Sequence, residues 1–228
     1  MLTTAERQVL DHLAQFVSEH KKQGVERVLA NRTRYITVVL EDIFQSQNAS
    51  AVIRTCECMG LQEVHIVENI SKYSINPRVL KGANKWINIE KYASKKHNNT
   101  VECISQLKGA GYSILALDPD ADGQSIFDID ITSSKVALIF GNELRGLSST
   151  ALEHCDSKVR IPMYGFTESL NISVSVAISL CTLVTRIRST DVDVGLSADE
   201  METLRLAWYR KIVRNSGLIE REFMRTIE

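Results

Sequence analysis

Leu138-Ile139-Phe140-Gly141-Asn142-Glu143-Leu144-Arg145-Gly146-Leu147-Ser148 is the stretch on which the organisation of the chain turns. An apolar, β-rich run from Val136 to Phe140 enters a loop bounded by two glycines and leaves it at a serine suited to start a helix. A strand that ends in a short loop before a helix is where ligands settle in open α/β sheets. The glycine spacing resembles a phosphate loop, but Leu147 stands where that loop needs lysine, before Ser148. Glu143 would also repel a triphosphate. There is no Gly-x-Gly-x-x-Gly turn either, so nucleoside triphosphate and dinucleotide chemistry are set aside. A glutamate in a tight loop suits a hydroxyl, an amine or a cation. Standing alone, the stretch reads equally well as an ordinary surface turn.

Working outward, Thr37-Val38-Val39-Leu40, Val64-His65-Ile66-Val67, Ser113-Ile114-Leu115-Ala116-Leu117 and Val159-Arg160-Ile161-Pro162-Met163 are further β-rich runs. Helical patterns at 49–59, 99–109 and 148–155 lie between them. Apolar strands alternating with helices predict an α/β fold, a mainly parallel sheet flanked by helices on both faces. Residues 4–30 read as helical from Val9, Leu10, Leu13, Phe16 and Val17, then Val25, Val28 and Leu29. A long helix is expected from about Ser169, apolar around much of its circumference. Residues 191–199 form a linker, and 199–215 read as a last helix. The expected organisation is a helical extension over 1–36, a catalytic domain over 37–190 and a second helical extension over 191–228.

The 228 residues allow one sizeable core, and 44% hydrophobic with 24% charged residues is an ordinary globular balance. No apolar run is long enough to span a bilayer, so no membrane partner is expected. Glu6, Asp11 and Glu19 argue against a signal peptide in the first twenty residues. Cys56, Cys58, Cys103, Cys155 and Cys181 are odd in number and scattered. They read as reduced thiols of a cytoplasmic protein. No His/Cys/carboxylate cluster suggests a metal.

A net charge of −1 does not advertise a nucleic-acid binder, but phosphate binding depends on where positive charge sits. One basic segment holds Lys21, Lys22, Arg27, Arg32 and Arg34. A second holds Arg78, Lys81, Lys85, Lys91, Lys95 and Lys96, and a third Arg205, Arg210, Lys211 and Arg214. Acidic residues concentrate at Asp118, Asp120, Asp122, Asp128 and Asp130. Solvated helix faces explain any one basic cluster better than RNA does. The three together weigh the two readings evenly.

Two other segments carry chemistry. In Ile161-Pro162-Met163-Tyr164-Gly165-Phe166-Thr167-Glu168-Ser169-Leu170-Asn171, a strand ends in an apolar loop and a helix follows. Ser169 and Asn171 are both good helix-start residues, though one cap needs only one of them. An apolar wall beside backbone polar groups suits a flat purine and a soft sulfonium. In Asn48-Ala49-Ser50-Ala51-Val52-Ile53-Arg54-Thr55, Asn48 reads as a helix N-cap. Arg54 follows six residues on, from where an extended side chain could return toward the cap. By itself Arg54 reads as a solvated helix arginine.

Together the three segments resemble the three signature motifs of the SpoU/TrmH family, within the SPOUT superfamily of RNA methyltransferases. They are Asn48-x-x-x-x-x-Arg54, Gly141-Asn142-Glu143-x-x-Gly146-Leu147, and Ile161-Pro162-Met163-x-Gly165 followed after four residues by Leu170-Asn171-x-Ser173. They stand in the family's order and span most of residues 37–188. The resemblance implies a SPOUT domain whose C-terminal part forms a deep trefoil knot, a path nearly absent from other proteins. It implies S-adenosylmethionine as cofactor, held at Leu117, Gly141, Ile161, Met163 and Leu170, in a homodimer. It places Arg54, Asn48, Glu143, Ser169 and Asn171 at the catalytic pocket. Residues 25–42 are similar to the tRNA-type members, which methylate the ribose of guanosine 18 in the tRNA D-loop. RNA contacts are accordingly expected at Lys21, Lys22, Arg27, Arg32, Arg34, Arg210 and Arg214. Gln47 departs from the histidine those members commonly carry before the first-motif asparagine, which leaves a ribosomal RNA target open. A silent RNA-binding module and a generic nucleotide-binding protein are the other readings.

A guanidinium is by itself a poor proton acceptor, although the resemblance implies a base role for Arg54 with help from an RNA phosphate. Arg54 is therefore expected mainly to grip phosphate and to stabilise charge on the 2′-oxygen. Asn48 would hold Arg54 or the ribose, and Glu143 would shape the pocket.

Overall fold

A computed structural model of the chain describes residues 1–119 and 123–227. Asp120 and Asp122 of the acidic cluster lie outside the described residues. The elements run α1 (Thr4–Ala14), α2 (Glu19–Leu29), β1 (Ile36–Glu41), α3 (Ser46–Cys58), β2 (Glu63–Val67), α4 (Pro77–Leu80) and β3 (Asn88–Tyr92). Then come α5 (Asn99–Gly109), β4 (Tyr112–Leu117), β5 (Gln124–Ser125), β6 (Lys135–Phe140), α6 (Ser149–His154) and β7 (Ser157–Arg160). The last three are α7 (Ile172–Arg188), α8 (Ala198–Ile212) and α9 (Ser216–Ile227). They divide into two compact units, 34–194 and 1–33 with 195–228.

In the larger unit the strands form one seven-stranded sheet in the order β3-β2-β1-β6-β4-β7-β5, with every pairing parallel. Parallel neighbours need crossovers, and the helices between strands supply them while covering both faces. Alternation along β1 sends Ile36, Val38 and Leu40 to one core, where they meet Val52, Ile53 and Cys56 of α3 and Val176, Leu180 and Leu183 of α7. Val39 turns the other way, into a core with Cys103, Ile104 and Leu107 of α5 and Ala151 of α6.

The strands that escaped the sequence pattern are β3 and β5. Asn88–Tyr92 carries Glu90 and Lys91 side by side because it is an edge strand, where charges blunt further pairing. β5 is only two residues long. The run Val159–Met163 stops being a strand at Arg160, and the long helix begins at Ile172 rather than Ser169.

In the smaller unit the helical region at 4–30 is broken. α1 closes at Gln15, and α2 starts after Ser18. A further helix, α9, follows the one expected at 199–215. The two ends of the chain pack together here, α1 against both α8 and α9 and α2 against α8. Arg7 pairs with Glu202 at 3.0 Å, and Arg205 with Glu26 at 2.5 Å.

Candidate active site

β1 and β6 end side by side, with Leu40 opposite Phe140, and both continue into loops that lean on each other. After β1 the backbone turns at Asp42, whose φ of 51° is a left-handed conformation that aspartate tolerates better than most side chains. The Asp42 carbonyl accepts a hydrogen bond at 2.7 Å from Asn142 Nδ2, in the loop after β6. Asn142 also organises its own loop. Its Oδ1 accepts from the Leu144 and Arg145 backbone N–H groups at 2.9 and 3.2 Å. Its main chain exchanges two hydrogen bonds with Gly146, at 2.9 and 2.8 Å.

That closure needs Gly141. A Cβ there would lie 2.2 to 2.3 Å from backbone atoms of Gly146 and Leu147, which cannot yield as a side chain would. The far end of the loop is tied by Glu41, buried at the end of β1, which accepts from Ser148 N at 2.9 Å and Ser148 Oγ at 2.7 Å. Gly141→Ala is expected to cost about 2 kcal/mol of stability through overpacking. It should also weaken binding in the adjoining cavity about tenfold; denaturant melts and ligand titration check the two effects.

Glu143 leaves this loop and reaches the start of α3. Its carboxylate accepts from Phe44 N at 3.0 Å, Gln45 N at 3.2 Å and Asn48 Nδ2 at 3.0 Å. Gln45 is the N-cap of α3 but makes no side-chain cap bond. Glu143 therefore serves donors at the helix start from 95 residues away in sequence. Burial works to raise its pKa, but the bonds from Asn48, Phe44 and Gln45 outweigh it and hold the carboxyl below its ordinary range.

Asn48 is thus not the cap that the sequence suggests; it lies inside the first turn of α3 and is buried. From there it joins the third motif, because its Oδ1 accepts from Asn171 Nδ2 at 3.2 Å. Asn171 is the N-cap of α7 and accepts from Ser173 N at 2.9 Å. Ser169 lies in the loop before the helix and caps nothing. One hydrogen-bonded chain, Glu143–Asn48–Asn171, therefore links all three motifs.

Beside it opens a cavity of about 800 Å³. Leu117, Gly141, Ile161, Met163 and Leu170 line it together with Asn48, Glu143, Ser169 and Asn171. So do Gln45, Asp118, Arg145, Glu168 and Ser175, which the sequence did not place at the site. Arg54 is not in its wall. It is exposed on α3, and its Nη1 donates to the Val79 carbonyl of α4 at 3.4 Å instead of returning to the helix start.

The residues expected to meet RNA fare differently from one another. Lys21, Arg27 and Arg214 are exposed. Lys22 pairs with Glu19 at 2.6 Å, Arg34 with Glu63, and Arg210 Nε with Glu220 at 3.0 Å. Arg32 is only 2% exposed, with its guanidinium over the Trp208 ring at 5.5 Å. So buried a cation has no surface left to meet a phosphate. Among the described residues no group of His, Cys, Asp and Glu is placed to hold a metal ion, and no helix is long and apolar enough to cross a membrane.

Residues 35–181 match the model of the SpoU rRNA Methylase family. The chain is 46% identical over 208 residues to the tRNA (guanosine(18)-2'-O)-methyltransferase of Borreliella burgdorferi, covering 91% of this chain and 93% of that one. It is 32% identical over 165 residues to the Aquifex aeolicus protein of the same description, covering 72% and 75%. A crystal structure of an A. aeolicus TrmH/SpoU tRNA modifying enzyme superposes with a TM-score of 0.75 at 28% identity, over 86% of this chain and 98% of that one.

Proposed function

The chain belongs to the SpoU methylase family, and from that premise we propose that it transfers a methyl group from S-adenosylmethionine to the ribose 2′-hydroxyl of guanosine 18 in the tRNA D-loop. The relatives described as tRNA (guanosine(18)-2'-O)-methyltransferases support the substrate. The observation that carries the reading is the Glu143–Asn48–Asn171 chain at the edge of the cavity, which brings the motifs into one site.

The cavity fits the cofactor. Its volume is in the range of small-molecule sites, and Leu117, Ile161, Met163 and Leu170 offer apolar walls for a purine and a thioether. The tight turn at Gly141 brings main chain, not side chain, to the cavity. When bound, S-adenosylmethionine supplies a methyl group on a positively charged sulfur, a good leaving group. What the chain must add is alignment and a more nucleophilic sugar oxygen. Asn48 and Asn171 present side-chain amides to the acceptor ribose, with Glu143 holding them in register. Arg54 grips an RNA phosphate and stabilises negative charge developing on the 2′-oxygen. Ser169 lines the acceptor side.

The proposal includes a homodimer in the cytoplasm. Phe44, Leu144, Tyr164, Phe166 and Val174 are all exposed on the site's loops and the first turn of α7, an apolar surface that a second copy would cover. It includes the trefoil knot, formed by the path through β6, the 141–147 loop, β7 and α7. Lys21, Arg27 and Arg214 remain the RNA contacts of the smaller unit.

Labelled methyl from S-adenosylmethionine should enter an unmodified tRNA transcript and not ribosomal RNA. Label in ribosomal RNA alone would move the target, as Gln47 allows. Label in neither, with RNA still bound, would leave a silent binding module.

A further inference from the structure

Several cations of the smaller unit are paired with carboxylates or buried, as Lys22, Arg205, Arg210 and Arg32 show. The surface around Arg54 is different. Residues 69–89 contain no Asp or Glu but carry Lys72, Arg78, Lys81 and Lys85, on a chain whose net charge is −1. All four are exposed. Among the described residues, no carboxylate pairs with Arg54, Arg78 or Lys81.

This segment is held firmly against the site. Asp42 Oδ1 accepts from the backbone N–H groups of Asn69, Ile70 and Ser71 at 2.8, 2.7 and 3.0 Å. Ser50 Oγ, buried in α3, accepts from Asn76 N at 2.7 Å. Asn76 then caps α4 by accepting from Arg78 N at 3.1 Å. Arg54 completes the join through the Val79 carbonyl. The basic segment is therefore fixed to the helix that carries both Asn48 and Arg54. Arg54, Arg78 and Lys81, fixed in place and paired with no carboxylate among the described residues, match a row of phosphates.

We propose that the surface formed by α4, the turn after it and the outer face of α3 binds the phosphate backbone of the acceptor RNA beside the methylated nucleotide, with Arg78 and Lys81 as its main contacts. This rests on the methyltransferase reading and extends it by naming where the RNA lies. The surface draws the RNA strand across Arg54, so docking and chemistry share one helix.

The test is the double variant Arg78→Gln/Lys81→Gln in the full chain, with an unmodified tRNA transcript as probe. Affinity for the transcript should fall about tenfold, and the log–log salt slope should drop by about 1.5, as two lost phosphate contacts imply. The KM for tRNA should rise, while kcat at saturating RNA and S-adenosylmethionine affinity stay unchanged. Arg78→Lys/Lys81→Arg should restore binding. Unchanged affinity and slope would overturn the proposal, as would an equal loss of S-adenosylmethionine affinity, which would assign the pair to the fold of the site. The two readings fail separately. Wild type that methylates tRNA beside an unaffected double variant removes only the surface; wild type that binds tRNA through these residues without methylating it removes only the activity.

Discussion

Arg54→Lys is expected to lower kcat for methyl transfer by about two to three powers of ten, with S-adenosylmethionine affinity within about twofold of wild type. Removing one donor aimed at developing negative charge typically costs that much. Lysine keeps the charge but loses the planar fork that can hold a phosphate and face a second oxygen at once. The geometry explains why cofactor binding is spared. Arg54 lies six helical steps after Asn48, a rise of about 9 Å with a turn of about 120° between their directions. Arg54 therefore points to α4 and away from the wall of the cavity. In the proposed activity its work begins when RNA is present. Turnover near wild type in Arg54→Lys would remove this residue from the chemistry.

Glu143→Ala should lower kcat/KM by about a hundredfold, with a loss of S-adenosylmethionine affinity alongside. Three donors converge on that carboxylate, two from the backbone before α3 and one from Asn48. Hydrogen bonds to a charged group contribute about 1.5–3 kcal/mol each, and of the three donors only the amide of Asn48 belongs to a buried residue. Without Glu143, Asn48 loses a partner that fixes it, and Asn171 loses its register through Asn48. Glu143→Gln should be milder than alanine but not silent, because its amide would set a donor against a donor. The pH dependence has a definite sign. The folded-state pKa lies below the ordinary 4.5, so the carboxylate's contribution is complete above that pH and is lost as pH falls through the folded value. Folding stability followed by denaturant melts from pH 7 downward should lose this contribution in the acid range; in Glu143→Ala the acid loss should be smaller.

Much of this was readable in the residues, and the gaps have physical causes. The central strands declared themselves because both faces are buried, so β1 and β6 are apolar nearly throughout. β3 concealed itself for the opposite reason: an edge strand carries charge. The motif positions were legible, but the bond between Asn48 and Glu143 spans 95 residues and that between Asn48 and Asn171 spans 123. No local pattern reports such contacts. That is why Asn48 read as a cap while Glu143 does the capping. Asn142, inside the second motif, and Glu41, beside the first β-rich run, carried no role in the sequence, since spacing does not say which polar residue ties a loop. Charge counting does not report that Arg32 lies buried over Trp208 or that Arg210 pairs with Glu220. The basic run at 78–85 was visible from the start, and only its attachment to α3 gave it a place near the chemistry.

The most direct measurement is mass-spectrometric mapping of an unmodified tRNA transcript after reaction with the wild-type protein and S-adenosylmethionine. The proposed activity requires one added methyl on the ribose of guanosine 18, absent when Arg54→Lys replaces the wild type under the same conditions. A methyl group on a base, on another nucleotide, or on no nucleotide of the transcript would contradict it.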